Sequence, residues 1–200
     1  AFGVVLASLT VHEWAHAFTA NRLGDPTARM LGRMSLNPAV HIDLVGTILL
    51  PLIAILSNFP VLGWAKPVPV NMSRLSNPKR DFMIVAAAGP ASNIALAVAA
   101  AIAFRALGGA GAITPGLLDP VTMLARAVEI NVLLAVFNML PIPPLDGGNV
   151  LAGLLPDSWG ALLQGLRQYG FLILYALLFT GILGQLLFPP MDFLVRFLLL

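Results

Sequence analysis

The sequence predicts an all-α, multi-pass membrane protein of about five spans, with short extended or β segments in its loops. Three observations carry this expectation. Hydrophobic residues make up 58% of the 200 and charged residues only 10%, where a soluble domain carries about 25% charged. The mean hydropathy of +0.90 leaves too few polar residues to cover a surface facing water. Apolar runs near the length of about 20 residues that a helix needs to cross a bilayer recur along the chain.

The first run, 1–20, starts at Ala1 inside an apolar stretch and without a Met. No basic segment precedes it and no cleavage site ends it, so it reads as a spanning helix rather than a signal peptide. It is expected to be cut at its start, with an upstream helix missing. The second span is expected at 45–63, the third at 83–106, the fourth at 121–140 and the fifth at 169–188. The closing MDFLVRFLLL reads as a short interfacial helix or the start of a further one. Between spans, GWAKPVPVNM at 63–72 carries Pro67 and Pro69. Proline fixes φ and pushes its predecessor out of the helical region, so this stretch should be extended, an edge strand being one form. In NMLPIPPLDGGN, 138–149, three prolines and two glycines must end or break the preceding helix. The whole is expected to be one membrane-embedded domain over 1–200, set in a lipid bilayer.

Charge is informative mainly by exclusion. The net charge of +2 comes from scattered residues with no basic run, so no nucleic acid partner is expected. Arg22, Arg29 and Arg33 lie in one loop, and Lys66, Arg74, Lys79 and Arg80 in the next. The positive-inside bias therefore does not choose an orientation. The absence of cysteine excludes disulfides, thiolate metal sites and a cysteine nucleophile. Any metal site must use Asp, Glu or the three histidines, His12, His16 and His41.

Two of those histidines lie in TVHEWAHAF, 10–18. His12 and His16 are one helical turn apart and face the same way, able to hold one Zn²⁺ per chain. Glu13 lies beside the first ligand, placed as a general base in the HExxH arrangement. Ionisable residues inside an apolar helix are costly and point by default to a functional site. The plainer alternative is that the three are interhelical hydrogen-bonding residues. A catalytic zinc needs a third protein ligand. Asp146, Asp43, His41 and Glu129 are the candidates. Asp146 follows a proline-broken stretch that can turn a carboxylate inward, although it could equally cap the next helix. His41 and Asp43 fall in a polar loop, and Glu129 pairs naturally with Arg126.

Three motifs together then resemble one family. HEWAH at 12–16, GPASN at 89–93 and NMLPIPPLDGG at 138–148 look like the site-2 protease family of intramembrane zinc metalloproteases. GDPTARMLGRMSLNPAVHID and GWAKPVPVN resemble its compact prokaryotic branch. The resemblance implies His12, His16 and Asp146 as zinc ligands, Glu13 as catalytic base, and Asn93 and Asn138 as active-site asparagines on the substrate side. It implies hydrolysis of peptide bonds within a membrane segment of a single-span substrate protein, by a multi-pass protein of a prokaryotic cell membrane. The rival reading is a polytopic metal-binding or cation-transport protein whose path is lined by the same His12, Glu13, His16 and Asp146. The two part at Glu13, a ligand in a transport site and an unligated base in a protease.

Overall fold

The structure is a computed structural model that describes residues 2–57, 63–113 and 119–200. Helix α1, Phe2–Arg22, holds the HEWAH motif in its second half. A one-turn helix α2, Thr27–Met30, and a 3-10 turn at Pro38–His41 follow. A π-helical stretch Leu44–Leu49 leads into α3, Leu50–Ser57. Asp43 caps this run, accepting from Val45 N at 3.0 Å and Gly46 N at 2.8 Å.

The long helix is α4, Pro78–Ala106, at 29 residues. It starts ahead of the expected 83 because Pro78 suits the first helical position and Asp81 accepts from Asn77 N at 2.7 Å. Helix α5, Pro120–Asn138, starts the same way. Pro120 follows a capping Asp119, whose carboxylate takes Thr122 N at 2.7 Å. Helix α6, Asp146–Leu154, is short, and α7, Gly160–Phe179, and α8, Ile182–Leu199, complete the chain.

Helix α4 is the centre of the bundle, packed against α1, α5 and α6, while α5 also meets α8. Small residues allow close approach: Ala97, Ala100 and Ala101 of α4 meet Val128 and Val132 of α5 in the buried core. Close packing of small side chains is what holds apolar helices together where lipid competes for every greasy surface. The outward faces stay apolar, with Phe171, Leu172, Phe188, Phe193 and Phe197 exposed, as suits contact with acyl chains.

Three helices, Pro78–Ala106, Pro120–Asn138 and Ile182–Leu199, are long and apolar enough to cross a membrane, and Gly165–Phe179 is a shorter apolar stretch. The expected fifth span is therefore divided and shifted. Gly181, at φ +75°, breaks it between α7 and α8. The tail expected to be a short interfacial helix or the start of a further one is the second half of α8, which continues through Pro189 and Pro190; membrane helices tolerate interior prolines. The second expected span is described as helix only over the six residues of Leu44–Leu49 and the eight of Leu50–Ser57; its residues 58–62 lie outside the described residues. At 63–71 the chain is neither helix nor strand. The expected edge strand does not form there, and no β-strand occurs among the described residues. The N–H groups that a ladder would need are taken: Lys66 N donates to His41 O at 2.8 Å and Val68 N to Glu13 Oε2 at 3.1 Å. Pro67 and Pro69 have none to give.

Candidate metal centre

Helix α1 brings His12 and His16 to its buried face, 3% and 8% exposed. Their ring nitrogens have divided roles. His16 Nδ1 lies 2.7 Å from the carbonyl oxygen of Val85 on α4, which can only accept, so Nδ1 carries the hydrogen. His12 Nδ1 lies 2.6 Å from Asn93 Oδ1, also an acceptor. Both Nε2 atoms therefore present lone pairs, and they face each other at 3.0 Å.

Asp146 completes a triangle. It is the first residue of α6. Its Oδ2 lies 3.1 Å from His12 Nε2 and 3.3 Å from His16 Nε2. This atom is buried and has no hydrogen-bond partner. Three acceptor atoms converging in a buried place repel one another unless a cation sits among them. Bonds of about 2.0–2.1 Å to a tetrahedral Zn²⁺ give ligand–ligand edges of about 3.3 Å, so the observed triangle fits that ion. Two imidazoles and one carboxylate, with the fourth position open, form a catalytic rather than a structural donor set.

The local sequence explains how three separate segments meet. A Cβ at Gly89 would stand 2.5 Å from His16 Cε1 and 2.6 Å from His12 Cε1, so only glycine lets α4 pass over the imidazoles. A Cβ at Gly147 would run into the carbonyl oxygens of Met139 and Leu140. The glycine after Asp146 thus lets α6 turn back tightly on the end of α5.

Glu13 stands beside the triangle without joining it; the group that could hold an ion is His12, His16 and Asp146. Its half-buried carboxylate accepts from Val68 N at 3.1 Å. All four residues line a cavity of about 510 Å³, whose walls include Val85, Phe137, Phe171 and Leu174. Trp64 lines it too and lies with its ring 5.3 Å from that of Phe171.

The other expected residues separate clearly. Asn138 lines the cavity, with its Nδ2 bonded to Leu134 O one turn back at 3.0 Å. Asn93 does not. It is fully buried, with its Oδ1 2.6 Å from His12 Nδ1, behind the imidazole. His41 Nε2 lies 2.8 Å from Ser35 O, and Asp43 is a helix cap. Glu129 pairs with Arg126 at 2.7 Å on the helix surface. The sequence reading missed Asp25. This fully buried carboxylate accepts from Thr27 N at 3.0 Å and Asn71 N at 2.6 Å, tying the end of the 63–71 segment to the exit of α1. An aspartate before a proline in a turn was the available signal.

Two histidines on one helix with a glutamate beside them, met by an aspartate from afar among helices long enough to cross a bilayer, define a class: a membrane metallopeptidase. Comparison with known proteins narrows it. Residues 112–180 match the model of Peptidase family M50. The chain is 34% identical over 193 residues to a Bacillus subtilis protein named "Putative zinc metalloprotease YwhC", a match spanning 94% of this chain and 84% of that one. It is 34% identical over 189 residues to a Mycolicibacterium smegmatis protein named "Putative zinc metalloprotease Rip2", across 92% of this chain and 68% of that one. No solved structure matches. The chain belongs to peptidase family M50.

Proposed function

We propose that this protein is a multi-pass intramembrane zinc metalloprotease of a prokaryotic cell membrane. It works as a single membrane-embedded domain with one Zn²⁺ per chain and hydrolyses a peptide bond within the transmembrane segment of a single-span substrate protein. The observation that carries the reading is the triangle of His12 Nε2, His16 Nε2 and Asp146 Oδ2 on the wall of an apolar cavity, with Glu13 beside it.

His12, His16 and Asp146 hold the ion. Bound there, zinc acidifies a water and polarises the scissile carbonyl. Glu13 takes the proton from the attacking water on a carboxylate oxygen and delivers it to the departing amide nitrogen. The apolar walls suit an unwound stretch of membrane helix, whose scissile carbonyl must first leave its own helical hydrogen bond. Asn138 is placed to engage that freed backbone. The 63–71 segment lines the cavity through Val68, whose N–H donates to Glu13, and this bond opens when Glu13 takes up the proton. Glu13 standing outside the ligand cluster supports hydrolysis over cation transport, which would recruit it as a ligand.

The experiment is cleavage of a model single-span substrate by purified protein in detergent, comparing wild type with Glu13→Gln. The variant keeps near-normal zinc by metal analysis and loses at least about 100-fold in rate, the lower end of what a general base contributes. Full-rate proteolysis by Glu13→Gln ends this reading. Asn138→Ala slows cleavage with zinc content unchanged.

A further inference from the structure

Asn131 lies midway along α5, 3% exposed, on a buried face otherwise made by Val121, Val128, Val132 and Ala135. The reaction as described gives it nothing to do. It is nevertheless joined to the metal centre by an unbroken path. Asn131 Nδ2 donates to Ala127 O at 2.9 Å. Asn93 Nδ2 donates to Asn131 Oδ1 at 2.9 Å, and His12 Nδ1 is 2.6 Å from Asn93 Oδ1.

The direction of every bond in this path follows from its far end. A backbone carbonyl only accepts, so Asn131 turns its NH₂ to Ala127 and its oxygen to Asn93. Asn93 must answer with its NH₂, whose second hydrogen points to Ser8 O at the long distance of 3.5 Å. Asn93 is then left with its oxygen toward His12. His12 Nδ1 must carry the hydrogen, and Nε2 the lone pair that a metal needs.

Asn93 alone would not decide this. A primary amide is a donor at one end and an acceptor at the other. Flipped, it would donate to Nδ1 and leave a hydrogen on Nε2, aimed into the centre. His16 meets the same requirement directly, through the Val85 carbonyl at 2.7 Å. His12 has no carbonyl at its Nδ1; it reaches Ser8 O through Asn93 only at 3.5 Å, and Ala127 O through two amides by bonds of 2.9 Å.

We propose that Asn131 is a positioning residue for metal binding: through Asn93 it relays the polarity of the Ala127 carbonyl to His12 and fixes its metal-binding tautomer. The proposal rests on reading the centre as a zinc site.

The test uses the full chain, purified, stripped of zinc and titrated with zinc against a chromophoric chelator. Nitrogen-15 spectra of the histidine rings are recorded on the zinc-free protein at alkaline pH, where imidazole is neutral. Asn131→Leu weakens zinc binding about 10- to 100-fold, the usual cost of losing a ligand's orienting partner, and turns the His12 ring from Nδ1–H to a mixture of tautomers. Asn131→Asp retains most of the affinity, because it keeps an oxygen toward Asn93. A residue that only supports the fold predicts the reverse order, since a buried carboxylate disturbs an apolar helix interface more than leucine does. Val128→Ala, a cavity in the same buried face, lowers the melting temperature and leaves zinc affinity unchanged. If Asn131→Leu fails to fold, Asn131→Ala, which removes the amide without adding bulk, is read by the same criteria. Wild-type zinc affinity in the amide-free variant, or Asp losing more affinity than Leu, overturns the relay alone. A wild type that takes up no zinc overturns the reading of the centre, and the relay with it.

Discussion

Asp146 is the residue at which two chemistries compete. A helix cap and a metal ligand make the same demand on sequence, a carboxylate after a break, and nothing in PPLDGG chooses between them. Asp146 Oδ2 points at the two imidazoles, which supports the ligand role proposed for it. Asp146→Asn would keep an adequate cap but weaken zinc binding at least about 10-fold, as loss of a direct ligand must cost no less than loss of an orienting partner. His41→Ala and Asp43→Asn leave zinc bound, because those residues serve Ser35 O and the start of the Leu44–Leu49 turn. Metal analysis of the three variants checks this, and normal zinc in Asp146→Asn contradicts it. The cluster of His12, Glu13 and His16 was legible in sequence because ionisable groups in an apolar run have few other reasons to be there. Asn93 and Asn131 were not, or not in their roles. Amide hydrogen bonds between helices leave no spacing signature, and the partner of each lies on another helix.

The elements were legible where one signal dominated. Helices α4 and α5 were legible from their apolar runs, although the start of α4 at Pro78 was not, and α5 ends where the prolines of 141–144 forbid continuation. The expected fifth span failed where a single glycine competed with a long apolar run and won, at Gly181. Contacts between elements set two predictions. Gly89→Ala places a methyl group against both imidazoles and costs about 1–3 kcal/mol or more by overpacking, with zinc lost in metal analysis. Gly165→Ala, on the open side of α7, leaves zinc and melting temperature nearly unchanged. The clamp at Asp25 gives a pH dependence. Burial raises its pKa, but the Thr27 hydroxyl, the Asn71 and Thr27 N–H groups and Arg74 outweigh it and hold the carboxyl below its usual range. Its folded pKa is depressed, so its stabilisation is present above the unfolded pKa near ~3.9 and is lost as pH falls through the folded value. Asp25→Asn should melt lower than wild type at pH 7, with the gap closing below about pH 4 as the wild-type carboxylate is protonated. A gap that is constant across that range counts against the clamp.

At the scale of the whole molecule, the proposed activity makes two opposed demands: a peptide bond needs water and charge to be hydrolysed, and a bilayer supplies neither. His12, His16, Asp146 and the nearby Glu13 keep the polar groups together at the wall of one cavity, while the outer faces of α7 and α8 stay apolar. Composition alone made the membrane setting legible. The meeting of α1 with α6 across α4 was not, because it depends on contacts far apart in sequence. This arrangement predicts where the cut falls. The most direct measurement reconstitutes the protein with a single-span substrate in liposomes and maps the product termini by mass spectrometry. The account predicts a zinc-dependent cut inside the apolar segment, faster when a glycine or proline loosens the helix near it, and absent with Glu13→Gln. Cleavage confined to the substrate's water-exposed flanks, or undiminished after zinc is removed, would contradict it.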